Sequence, residues 1–146
     1  MIFELREYES TPARVGELHA RFRDHVLSFF RKHGITPVAF WTEVDRPHVV
    51  VYLVCFDDER ARDPAWASLR EDPSWRRLLE CTDPDGDLIV QRTRKLLVET
   101  DYSPSVLRHG ILEGSVDHRG VGVDCVEERE TGGEDREGVT KTRSGE

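Results

Sequence analysis

The stretch HVVVYLVCF, residues 48–56, constrains this chain more than any other, because its apolar residues are successive rather than alternate. A strand turns neighbouring side chains to opposite faces, so such a run has to be covered on two sides. It predicts the centre of a sheet. ITPVAFWTEV, residues 35–44, precedes it across a connection containing Asp45 and Pro47, which is of hairpin length and turn composition. A third strand opens the chain as IFELREY, where alternation puts Ile2, Glu4, Arg6 and Tyr8 on one side and Phe3, Leu5 and Glu7 on the other. A fourth, LIVQRTRKLLV, puts Leu88, Val90, Arg92, Arg94 and Leu96 on one face.

Between the first two strands the sequence predicts a helix of about 20 residues, with Thr11 as N-cap, Pro12 as first helical residue and Gly34 as the stop. Its apolar stripe runs Val15, Leu18, Phe22, Val26, Phe29, with His33 in line and His25 at the edge. Later the pattern Asp-Pro-x-Trp occurs at Asp63 to Trp66 and again at Asp72 to Trp75. Asp caps free backbone N–H groups and Pro suits the first helical position, so each copy predicts the start of a short helix with its Trp folded inward. Of the two rings, Trp75 is expected to be the more deeply buried.

The order strand, helix, strand, strand, helices, strand is that of the ferredoxin-like α+β class, a four-stranded antiparallel sheet with helices on one face. A doubly apolar strand in a sheet covered on one side leaves an apolar face bare, and the simplest cover is a second copy. A homodimer is expected. Residues 1–108 form the expected domain; residues 109–146 hold 10 acids against 5 bases and few large apolar side chains, which predicts a flexible acidic C-terminal tail.

The net charge of −8, without a stripe dense in Lys and Arg, argues against nucleic acid as a partner. No apolar run approaches the roughly 20 residues of a membrane span. Cys55, Cys81 and Cys125 cannot all pair with one another and lack Cys-x-x-Cys spacing, so a reducing, cytoplasmic location is expected. Cys55 reads as a small core residue.

Several stretches together resemble the NIPSNAP family: FELREY at the start, HGITPVAFWTEV after the first helix, VVVYLVCFDD, REDPSWRRLL and LLVETDYSPS. They run through residues 2–105 in the family's order and spacing. The resemblance implies a dimeric α+β barrel in which two ferredoxin-like sheets pack face to face. Pro64 and Trp66 depart from the family's uninterrupted Arg- and Ala-rich helix, which predicts a displaced helix start. The resemblance implies a fold more than a chemistry.

Motifs for dinucleotides, nucleoside triphosphates, zinc peptidases and serine hydrolases are absent, and no cofactor is expected. DPDGD superficially resembles a calcium loop, but the twelfth position from Asp83 is Arg94, not Glu. His25 and His33 are too far apart on a helix to chelate, so no metal is expected. What remains is a cavity between sheet and helices, mainly apolar with a few aimed polar groups. Its candidates are Arg6, Tyr8, His25, His33, Trp41, Tyr52 and Arg92. Each also has a structural reading: Trp41 and Tyr52 as core, His33 as a helix end, His25 as the edge of the stripe, Arg6 as a partner of Glu4, Glu7 or a neighbouring carboxylate.

Three functions fit. The first is a non-enzymatic homodimer that binds a small apolar molecule or a protein partner. The second is a cofactor-independent monooxygenase, cyclase or isomerase acting on a polyketide-like or aromatic metabolite, with His25 as general base and Arg6 or Tyr8 stabilising an enolate. The third is haem handling, which needs a placed axial histidine. None of the histidines before residue 108 lies in the Trp-bearing helices, which weakens it. The first reading is preferred.

Overall fold

The computed structural model describes residues 1–104; the expected tail, 109–146, lies outside the described residues. Four strands, β1 (Ile2–Ser10), β2 (Thr36–Thr42), β3 (Val49–Phe56) and β4 (Ile89–Leu97), form one antiparallel sheet in the order β2-β3-β1-β4. The α+β architecture is the one the alternation implied. β3 lies inside the sheet, as its doubly apolar sequence requires, and seven of its eight residues are buried. The register places Arg6 opposite Tyr52 on β3 and opposite Arg94 on β4, while Tyr8 faces Val50 and Arg92.

One face of the sheet carries the helices and the main core, including Ile2, Val50, Tyr52, Val54 and Phe56. On the other face a smaller cluster of Phe3, Leu53 and Cys55 is flanked by Leu5 and Val38. Trp41 and Leu97 are 51% and 41% exposed. β4 is an edge strand, and most of its residues are exposed. A register shift between Glu9 and Ser10 lets both Leu88 and Ile89 enter the core and leaves Val90 exposed, so the simple alternation expected from Leu88 onward does not hold.

The long helix is present but uneven. A 3-10 turn (Pro12–Arg14) leads into α1 (Val15–Arg21), a π turn (Phe22–Val26) and α2 (Leu27–Lys32). Thr11 does not cap with its side chain; its hydroxyl donates to the Asp87 carbonyl at 3.0 Å. At the other end Gly34, with φ 73°, closes a Schellman motif in which Ile35 N–H donates to Phe30 O at 2.8 Å and Gly34 N–H to Arg31 O at 3.4 Å.

α3 (Glu59–Glu71) and α4 (Pro73–Thr82) complete the helical layer. The second Asp-Pro pair starts a helix as expected, with the Asp72 carboxylate accepting from Ser74 N–H at 2.8 Å. The first does not. α3 begins earlier, capped by Asp58, whose side chain accepts from Ala61 N–H at 2.8 Å, and Pro64 falls inside the helix. Arg62, Ala65, Trp66 and Leu69 form one buried stripe that crosses Pro64, so burial of that stripe offsets the missing proline donor, a penalty of about 3 kcal/mol. The burial of the two tryptophans is also reversed: Trp66 is 6% exposed, whereas Trp75 is only partly buried, against Phe29. Among the described residues, no helix is long and apolar enough to cross a membrane.

Candidate functional site

Alternation along β1 delivers Glu4, Arg6 and Tyr8 to the helical face, beneath α3 and the π turn. Glu4 is fully buried and anchors the group. Its Oε1 accepts from Arg6 Nε at 2.8 Å and from Arg62 Nη2 at 3.2 Å. Its Oε2 accepts from Arg62 Nε at 2.6 Å and from Trp66 Nε1 at 2.9 Å. Burial works to raise the Glu4 pKa, but Arg62, Arg6 and Trp66 outweigh it and hold the carboxyl below its ordinary value.

Arg6 continues the chain of contacts. Its guanidinium carbon lies 3.8 Å from the centre of the Trp66 ring, a cation–π stack, while Nη1 donates to the Tyr8 hydroxyl at 3.1 Å. Tyr52, 1% exposed, donates its O–H to the same oxygen at 2.9 Å. Burial, followed by the neighbouring Tyr8, pushes the Tyr52 pKa well above its ordinary value, so its hydroxyl stays protonated. Burial works against the Arg6 charge, but Tyr8, Tyr52 and Glu4 together hold its pKa above the usual one.

Arg6, Tyr8, Tyr52 and Arg92, all expected at a site, line one cavity of about 240 Å³ between the sheet and helices. Arg21, Phe22, Phe30, Trp66 and Trp75 are among its other walls. Phe22 packs edge-on against Tyr52 at 5.2 Å, and Arg92 stands over the Tyr8 ring at 5.6 Å. The π turn brings Phe22 and Val26 to this cavity directly after Arg21, and π turns are often found where a helix borders a site.

The other three candidates lie elsewhere. Trp41 borders a separate groove of about 430 Å³ at the β2 edge, with His19, Arg23 and Phe40. His33 is a latch between helices: Nδ1 meets Ser68 Oγ at 2.7 Å and Nε2 meets Asp72 Oδ2 at 2.8 Å. Lys32 Nζ reaches the same Asp72 oxygen at 2.7 Å. His25 is half-buried on the π turn and borders neither cavity.

The sequence does not single out as site residues Glu4, Arg21, Arg62 and Trp66, which the structure places in this group of contacts or on the cavity wall. Glu4 shares the face of Arg6 and Tyr8, so a carboxylate two residues before a candidate arginine was the available signal. Arg21 interrupts the apolar stripe between Leu18 and Phe22, and a charge on a stripe was the signal there.

Comparison with known proteins bears on the fold and the family. An uncharacterised NIPSNAP domain protein from Burkholderia xenovorans superposes with a TM-score of 0.63 at 23% identity, covering 71% of this chain and 99% of that one. A NIPSNAP family protein of unknown function from Agrobacterium tumefaciens also gives 0.63, at 22% identity, covering 71% of this chain and 92% of its own. An antibiotic biosynthesis monooxygenase shares the fold more distantly, with a TM-score of 0.51 at 16% identity over 68% of this chain and 99% of that one. No curated protein matches the chain. The NIPSNAP family profile matches residues 3–104, nearly the whole of the described fold, and the chain belongs to the NIPSNAP family.

Proposed function

We propose that the protein binds a small, largely apolar molecule in the cavity between its sheet and helices. One observation carries this reading: Arg6, Tyr8 and Tyr52 form a continuous hydrogen-bonded row in a cavity whose other lining is aromatic and aliphatic apart from Arg21, Arg70 and Arg92. A few convergent polar groups in an apolar concavity are what a ligand site requires. Residues 1–108 are the proposed functional unit, working as a homodimer through the sheet face that bears Phe3, Leu53 and Cys55, where exposed Trp41 and Leu97 extend the apolar surface.

The enzymatic reading has the Tyr8–Arg6 pair in its favour, since that pair would stabilise a developing enolate. The base it named, His25, does not border the cavity, and Tyr52 is held protonated. Binding without turnover is therefore the reading put forward.

Thermal unfolding against a panel of apolar metabolites tests it. A ligand present at about 100 times its Kd stabilises the native state by about 2.7 kcal/mol, a clear upward displacement of the melting curve. No displacement by any compound would overturn the reading. Light scattering at micromolar concentration tests the dimer, which a stable monomer mass would refute.

A further inference from the structure

Arg21 sits at the end of α1 with 5% of its surface exposed, and it borders the cavity. Its Nε and Nη2 are buried and have no hydrogen-bond partner among the described residues. Asp83 Oδ2 lies 3.9 Å from Nη2, beyond hydrogen-bond reach. The Asp83 carboxylate is already engaged by Arg14 Nη1 at 3.5 Å and by the backbone N–H groups of Asp87 and Leu88 at 3.2 Å. Asp83 is thus committed to holding the turn before β4.

Leaving two donors of a buried guanidinium unmet is unfavourable. Burial, with Arg92 and Arg14 nearby, pulls the Arg21 pKa down, while Asp83 and Glu17 oppose the fall. Nε–H and Nη2–H lie along one edge of the planar group, the edge that meets both oxygens of a carboxylate in a two-pronged contact. Arg6, Arg70 and Arg92 border the same cavity, and no acidic residue does among the described residues. Arg6 is already matched by Glu4 at 2.8 Å. Apolar Phe22, Val26, Phe30 and Leu79 border the same cavity.

We infer that the ligand is a small apolar carboxylic acid, its carboxylate received by the Nε and Nη2 edge of Arg21 and its body lying against Phe22, Phe30 and Leu79. This rests on the binding reading above and gives it a chemical class. Arg92, on the exposed strand β4, adds positive potential at the cavity without being required for the two-pronged contact.

Calorimetry with 2-naphthoate and decanoate, each compared with its primary amide, tests the inference. At least one acid is expected to bind about ten-fold or more tightly than its amide, the scale of a charge-assisted hydrogen bond. Arg21→Met should abolish that preference, lowering the acid affinity to that of the amide; Arg92→Met should reduce it only in part. In the wild-type protein the Arg21 Nε–H proton resonance should move farther downfield with the acid than with the amide, a readout that does not depend on the variant folding. Equal affinity for acid and amide would overturn the carboxylate inference and leave the binding reading standing. A preference that persists in Arg21→Met, or an Nε–H resonance that moves no farther with the acid than with the amide, would overturn the assignment to Arg21. If neither acid nor amide binds, both readings fall.

Discussion

The indole N–H of Trp66 donates to Glu4 Oε2 at 2.9 Å, tying α3 to β1 through a ring that also stacks on Arg6. A single side chain thereby fills the space between helix and sheet, satisfies a buried carboxylate and supports the cation beside Tyr8. Trp66→Ala should destabilise the protein by about 3–5 kcal/mol, the range for emptying a buried aromatic site. Trp75→Ala should cost less, since Trp75 is only partly buried. Trp66→Phe, which keeps most of the ring but removes the donor, should lose about 1–3 kcal/mol. Urea unfolding of the three variants reads all of these, and a larger loss at Trp75 than at Trp66 would contradict the packing described.

Glu4→Gln should be among the most disruptive single changes. It removes the charge that faces both Arg6 and Arg62 at the centre of the sheet. Breaking a buried pair from one side costs about 3–5 kcal/mol; Arg6 is the cation left exposed to that cost, since Arg62 keeps Asp63 at 2.5 Å. A double-mutant cycle between Glu4→Gln and Arg62→Met should show strong coupling, and additive losses would argue that the two residues act separately.

Asp72 gives the fold a dependence on acid. Lys32, ahead of the opposing effect of burial, and then His33 and the Ser74 N–H hold its carboxyl well below the ordinary range. A carboxyl depressed in the native state contributes stability above its unfolded pKa, and that contribution is lost as pH falls through the native value. The gap in stability between wild type and Asp72→Asn should be full at pH 7 and narrow as pH falls below about 4. Asn preserves the capping oxygen, so the comparison isolates the charge. A gap of constant size from pH 7 to pH 2 would show that Lys32 and His33 do not stabilise the ionised form.

The fold was legible because its strongest signals are periodic. β3 is apolar at every position and β1 alternates, and together they fix the inside of the sheet and the face that carries Arg6 and Tyr8. The start of α3 was not legible in the same way. Local chemistry favours Asp63-Pro64 as a cap, but Asp58 and a buried stripe through Arg62 and Trp66 prevail, and that contest is settled only by tertiary packing. The same limit applies to His33. Its place at the end of a helix is visible in the sequence, whereas its contacts with Ser68 and Asp72 lie 35 and 39 residues away along the chain. Periodicity marks the apolar members of a helical stripe and is silent on a buried charge among them, which is the place Arg21 holds between Leu18 and Phe22.

The cavity between sheet and helices is the proposed binding site, and Leu79 offers direct access to it. Leu79 is half-buried on α4 and borders the cavity, so Leu79→Trp should fill the space without opening the core. Native mass spectrometry of the purified wild-type protein and of Leu79→Trp, under identical conditions, is the decisive measurement. The account predicts that the wild-type protein carries a small molecule releasable by collision and that Leu79→Trp, equally folded, carries none. A wild-type protein with no retained molecule, or the same adduct on both proteins, would contradict it.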